Sequence, residues 1–470
     1  MPLNSPEFAT ITELARAYRL REITPVEVTE LMLKRIETLD PQLRSFVTVT
    51  ADNALAQARQ AEQEMARGEF RGPMHGVPVG LKDLCRTAGI RTTWGTKVLS
   101  DYVPDEDATV VRRLADAGAV MLGKLQMTEG AFGAHHPDIP APLNPWGEQY
   151  WSGVSSSGSG VATAAGLCYG AIGTDTGGSI RYPSGANGLT GLKPTWGRVS
   201  RHGVLALADS LDHIGPMTRS AADAGAMLGA MAGEDPQDPT SLPAPVPDYL
   251  ADIDKGIRGL KIGIAPADMD EICDPATLRV IREARQVLTD LGAELTEYEV
   301  PATTSAMRHI WGRYCAVETA VAHEATYPSR KDEYGPVLAG LIEAGRHLGA
   351  TDLMKMHHTR LMFAGDLRKL FGRFDLLLVP VHPFSNPTIE RYNSLLRNPQ
   401  TMNESLRYTA PYNMSGSPSI TLPGGFTDAG LPVGFQLVGR HLDEAMLVRA
   451  GHAFQQVTEW HKRHPQMTQY

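Results

Sequence analysis

"CYGAIGTDTGGSIR", residues 168–181, decides the reading of the fold: a run of small apolar residues ends abruptly in a threonine, two glycines and a serine. This is the pattern of a buried strand that stops at a glycine turn. The texture repeats on either side, in "VMLGKLQ" (120–126) and "NGLTGLKPTWGRVS" (187–200), with Gly/Ala-rich segments between. Short strands alternating with small-residue helices predict an α/β fold, with one mixed, twisted sheet covered by helices on both faces. Within the quoted stretch, successive glycines let backbone amides approach a substrate without Cβ obstruction, so Thr176, Gly177, Gly178 and Ser179 fit an oxyanion hole beside a serine nucleophile. Taken alone, the stretch is better read as a strand-ending turn in which Ser179 caps a helix.

Upstream, "TPVEVTELMLKRIETL" (24–39) opens with Thr24, Pro25 and Glu27, a capping box, and carries Val28, Leu31, Ile36 and Leu39 at helical spacing. An alanine-rich helix (51–69) follows, so residues 1–70 read as a helical entry packed on the α/β domain of residues 71–470. Downstream, "LKIGIA" (260–265), a helix over 277–291 and "AELTEYEV" (293–300) form a strand, helix, strand unit, and residues 303–373 are largely helical. The Pro/Asp-rich stretch 234–250 reads as a linker.

Composition excludes several classes. Hydrophobic residues at 42% and charged residues at 21% are those of an ordinary globular protein. A net charge of −9 without clustered Lys or Arg argues against nucleic-acid or anionic-membrane partners and leaves a small-molecule substrate. The four cysteines, Cys85, Cys168, Cys273 and Cys315, form no CxxC pair, and no N-terminal leader or spanning segment is seen. The expectation is a cytoplasmic protein with reduced thiols, monomeric or homodimeric, without metal or cofactor. His135 and His136 read as loop polar groups, since no third ligand stands at a diagnostic spacing.

A serine nucleophile needs a base. The G-x-S-x-G elbow and S-x-x-K are absent, and a Ser-His-Asp triad stays open although no histidine is singled out locally. "HGVPVGLKDLC" (75–85) places Lys82 at the end of an apolar strand. Burial lowers a lysine pKa, and bringing it from about 10.4 to about 7 costs roughly 4 to 5 kcal/mol. Snorkelling of Lys82 at a strand end is the simpler alternative. "WSGVSSSGSGVATAAG" (151–166) adds a serine-glycine run leading into a small-residue helix, from which Ser155, Ser156 or Ser157 could pass protons between Lys82 and Ser179.

Together these segments resemble the amidase signature family of serine hydrolases. "GVPVGLKD" is similar to its lysine segment, "GVSSSGSG" to its serine-glycine segment and "GTDTGGSIRYPS" to its nucleophile segment, with Ser155 and Ser179 separated by 24 positions. "NPW", "SLDHIGPMTRS", "FDLLLVP" and "PSITLPGGF" extend the likeness over nearly the whole chain. The resemblance implies that Ser179 attacks the carbonyl, that Ser155, after a cis peptide bond, relays the proton, and that neutral Lys82 is the base. It also implies Asp175, Arg181 and Ser156 as supports behind them. Two departures stand out: Val154 and Ser157 replace family glycines, and "GAHHPDIPAPL" (133–143) lacks the usual pattern where a pocket wall is expected. Ile139, Trp151 and Tyr182, with Trp94 and Trp311 as further aromatic candidates, lean the substrate toward a hydrophobic or aryl amide. A carbamate (urethane) or an ester is an alternative substrate, because the tetrahedral chemistry is the same. An amidotransferase A-type subunit working in a complex shares the three segments, although its glutamine-recognition pattern is not apparent between residues 303 and 330. A noncatalytic binding protein of the same fold is disfavoured by the intact Lys82, Ser155 and Ser179.

Overall fold

Eleven strands form one mixed sheet in a computed structural model that describes residues 5–467. In chain order they are β1 (Phe46–Val49), β2 (Pro78–Lys82), β3 (Val120–Leu125), β4 (Gly170–Asp175), β5 (Thr190–Lys193), β6 (His213–Thr218), β7 (Lys261–Ile264), β8 (Glu294–Glu297), β9 (Leu376–Pro380), β10 (Ser419–Phe426) and β11 (Pro432–Gly439). Their spatial order is β1-β3-β2-β4-β6-β5-β10-β11-β9-β7-β8. Strands β3, β2 and β4 run parallel, as do β9, β7 and β8, and the pairs between these blocks are antiparallel. Every residue of β2, β3, β4, β5, β6 and β9 is buried, and β2, β3 and β9, which pair in parallel blocks, read as largely continuous apolar runs rather than alternating ones. The edge strands β1 and β8 meet solvent.

Helices cover the sheet, and the one behind the site is made almost entirely of small residues. In the helix Ser157–Ala164 every residue is buried. A Cβ on Gly158 would sit 2.5 Å from the Ser45 carbonyl oxygen and 2.6 Å from the Gln126 amide, so only glycine lets this helix approach β3 so closely. At the N-terminus, Thr24 and Glu27 exchange both hydrogen bonds of the capping box that starts the helix Pro25–Leu43.

Two regions differ from the sequence reading. Residues 1–70 are not helical throughout, because β1 adds an edge strand antiparallel to β3. Its four residues, "FVTV", are too short a run to stand out between two strong helix signals. The Pro/Asp-rich stretch 234–250 is not a free linker: Asp235 accepts hydrogen bonds from the hydroxyls of Thr109 (2.6 Å) and Ser200 (2.5 Å), and Asp238 accepts one from the Arg201 amide (2.8 Å). Its aspartates serve as anchors, a use that composition does not distinguish from solvation.

Candidate active site

Parallel β2 and β4 lie side by side, and their ends carry Lys82 and Asp175 to the same edge of the sheet. Lys82 has no exposed surface. Its Nζ lies 2.8 Å from Ser155 Oγ and 2.7 Å from Thr174 Oγ1, and among the described residues it has no ion-pair partner. Burial brings its pKa down to about 7, against a smaller opposing pull from Cys85, Asp212 and Asp175. Near neutral pH the amine therefore holds a lone pair for part of the time, which a hydrogen bond to one hydroxyl can use while an N–H serves the other.

Ser155 is 1% exposed and follows a cis peptide bond from Val154. Its neighbour Ser156 binds the backbone of β4 twice, accepting from the Thr174 amide and donating to the Thr174 carbonyl, both at 3.2 Å. The Ser156 amide donates to the Ser179 carbonyl at 3.4 Å, so the serine-glycine loop and the 176–180 turn are stitched together beside Lys82. Ser179 is partly exposed where Lys82 and Ser155 are sealed, and among the described residues its hydroxyl has no hydrogen-bond partner. No histidine is hydrogen-bonded to it there either. His213, the histidine next to this edge, instead points Nδ1 at the carbonyls of Leu211 (2.7 Å) and Asp175 (3.2 Å).

Asp175 organises the turn from below. Its carboxylate accepts from the amides of Gly178 (2.8 Å) and Ile180 (3.1 Å), from Arg181 through Nε and a terminal nitrogen (both 2.9 Å), and from Asn413 Nδ2 (2.8 Å). Burial alone would raise its pKa, but the Arg181 guanidinium and these donors hold the carboxyl well below the usual range. The turn also corrects the expected set of oxyanion donors: the Gly178 amide is spent on Asp175. Among the described residues the amides of Thr176, Gly177 and Ser179 have no acceptor. Gly178 has φ +138°, and a Cβ there would lie 2.5 Å from the Tyr182 ring, so both backbone freedom and close approach require glycine.

The aromatic candidates separate. Trp151 and Tyr182 meet at 5.9 Å between ring centroids, Tyr392 stacks on Trp151 at 4.4 Å, and Val154 packs against this cluster. The Tyr182 hydroxyl is fixed by the Ser405 carbonyl (2.8 Å) and Thr409 (2.6 Å). Ile139 stays apart, half-buried in a turn closed by its own amide on the His136 carbonyl (2.9 Å). Trp94 stacks on His323 at 4.3 Å, and Trp311 lies against Gly177. Ser157 and loop 133–143 are joined, since Ser157 Oγ and His135 Nε2 are 3.2 Å apart. Sequence reasoning missed Thr174, Asp212 and Asn413. Asn413 stands 238 residues from Asp175, where no local pattern marks it.

Known proteins resemble the chain over most of its length. The Amidase family model matches residues 27–448. The chain is 49% identical over 455 residues to "Putative amidase AmiD" of Mycobacterium tuberculosis, covering 97% of this chain and 95% of that one. It is 39% identical over 479 residues to the A-type subunit of a glutamyl-tRNA(Gln) amidotransferase from Geobacter, covering 96% of this chain and 98% of that one. Among solved structures, a peptide amidase from Stenotrophomonas maltophilia superposes with a TM-score of 0.83 at 30% identity, covering 98% of each chain. A bacterial aryl acylamidase of the amidase signature family superposes with a TM-score of 0.86 at 25% identity, covering 97% of each. With a family match spanning most of its length, a mixed sheet shared with those structures and relatives named as amidases, the chain belongs to the amidase signature family and is a hydrolase of carbon–nitrogen bonds.

Proposed function

We propose that the chain acts by itself as a serine amidase on small hydrophobic or aryl amides, through an acyl-enzyme on Ser179. The observation that carries this reading is the sealed Lys82 amine, 2.8 Å from Ser155 Oγ, at the foot of a turn with open amides. Neutral Lys82 takes the Ser155 proton as Ser155 takes that of Ser179, and the Ser179 oxygen forms a bond to the substrate carbonyl carbon. The oxyanion is held by the Thr176, Gly177 and Ser179 amides, which are fixed before the reaction begins. Collapse breaks the C–N bond, the lysine proton returns along Ser155 to the leaving amine, and water enters by the same relay to release the acid. Asp175, paired with Arg181, and Ser156 hold the two loops in register.

The aryl preference is supported by the Trp151, Tyr182 and Tyr392 cluster, because Tyr182 also abuts Gly178 next to the nucleophile. The solved aryl acylamidase of similar fold adds weight. Carbamates and esters require no further group and are alternative substrates of the same site. A second reading, an amidotransferase A-type subunit, is favoured by the 39% identity to the Geobacter protein.

The test is mass spectrometry of the purified chain after exposure to a fluorophosphonate, combined with assays on aryl amides, carbamates, esters and glutamine. One adduct on the peptide carrying Ser179, with aryl amide turnover by the chain alone, is the expected result. An adduct elsewhere removes Ser179, and glutaminase activity seen only with added partners transfers the chain to the second reading.

A further inference from the structure

Thr176 is gripped from two directions by residues that, among the described ones, are hydrogen-bonded to neither Lys82 nor Ser155. Strands β4 and β6 are antiparallel, with Asp175 opposite His213, so Asp212, just before β6, is level with Thr176, just after β4. The Thr176 hydroxyl donates to Asp212 Oδ1 at 2.5 Å. That carboxylate is itself pinned by the amides of Leu207 (2.9 Å) and Ala208 (3.2 Å). On the other side, Trp311, on the helix Ala302–Ala322 and 4% exposed, donates its indole N–H to the Thr176 carbonyl at 2.8 Å.

The geometry of a trans peptide turns this grip into an aim. The Thr176 carbonyl and the Gly177 amide belong to one planar unit and point in opposite directions. Holding the carbonyl on Trp311 therefore turns the Gly177 N–H away from the indole, and it has no acceptor among the described residues. The ring lies where a Cβ of residue 177 would be, so glycine is required for the indole to reach this carbonyl at all.

We infer that Trp311 and Asp212 are positioning residues that clamp Thr176 and so aim the Gly177 amide at the reacting oxygen. Trp311 is on this account a brace of the turn rather than a wall of the substrate pocket. The inference rests on the reading of Ser179 as nucleophile, and the experiment separates the two.

Trp311→Phe keeps most of the ring and removes the donor, while Thr176→Val removes the hydroxyl that Asp212 holds. Both are assayed on an aryl amide, with kcat expressed per Ser179 labelled by fluorophosphonate so that unfolded protein does not count. Losing an oxyanion donor outright costs about 10²–10³ in kcat, and misaiming one is expected to cost about 10- to 100-fold, with KM within about twofold of wild type. Thermal melts identify a Trp311→Phe chain that has lost its fold, in which case Thr176→Val decides. Wild-type kcat in the folded variant, or a raised KM at unchanged kcat, overturns the clamp. Absence of a Ser179 adduct in the wild-type chain overturns the underlying reading instead.

Discussion

Ser179→Ala is expected to lose amide turnover by about 10⁴-fold or more while melting close to wild type, because in the proposed mechanism it removes the one atom that bonds to the substrate. The partly exposed hydroxyl supports nothing else: among the described residues it makes no hydrogen bond, so its loss leaves the fold untouched. The Asp175 anchors on the Gly178 and Ile180 amides remain, as do the open amides of Thr176 and Gly177, which leaves a residual rate above the uncatalysed one. Steady-state assay and a thermal melt of the same preparation check both halves. Retained turnover would take Ser179 out of the reaction.

Lys82→Met is the second large effect, and its two readouts move in opposite directions. Activity at neutral pH is expected to fall about as far as in Ser179→Ala, since residues acting as one unit lose nearly everything when any is removed. Stability is expected to rise. In the fold the amine titrates near 7 and in the unfolded chain near its ordinary 10.5, so burial costs about 5 kcal/mol at pH 7, at about 1.4 kcal/mol per pKa unit. The bonds to Ser155 and Thr174 return about 1 kcal/mol each, leaving an expected gain of about 2–4 kcal/mol for methionine. Between about pH 7 and 10.5 the unfolded chain binds the proton that the folded one has released, so wild-type stability climbs with pH across that window. The advantage of the variant should shrink accordingly. Denaturant midpoints at pH 7 and pH 10 measure the convergence, and full activity in Lys82→Met would point to another base.

Much of this site could be read before the fold was known, for a definable reason. Lys82, Ser155 and Ser179 each sit in a segment that taken alone fits a structural role, and it was the order and spacing of the three, resembling those of the amidase signature family, that joined them. The strand, helix, strand unit of β7, the helix Pro275–Asp290 and β8 was legible because its periodicities switch cleanly. What stayed hidden comes from long range. Asn413 reaches the Asp175 carboxylate from the segment before β10, and Trp311 reaches Thr176 from a helix 135 residues away. The competition for the Gly178 amide was equally invisible, because sequence shows that glycines expose amides but not which one a neighbouring carboxylate has taken. Ile139, also named as a pocket residue, lies outside the apolar cluster of Trp151, Tyr182 and Val154, in a turn closed by its own amide on the His136 carbonyl.

Behind both large effects stands one claim, that the amine of Lys82 is uncharged for a large part of the time at neutral pH. An NMR titration of protein labelled with ¹³C at the lysine ε-carbons, with the Lys82 resonance assigned by its absence in Lys82→Met, reads that charge directly. A midpoint near pH 7, well separated from the other lysines, is the predicted result. A Lys82 signal that keeps its protonated shift to about pH 9 and beyond, near the ordinary lysine range, would contradict the account.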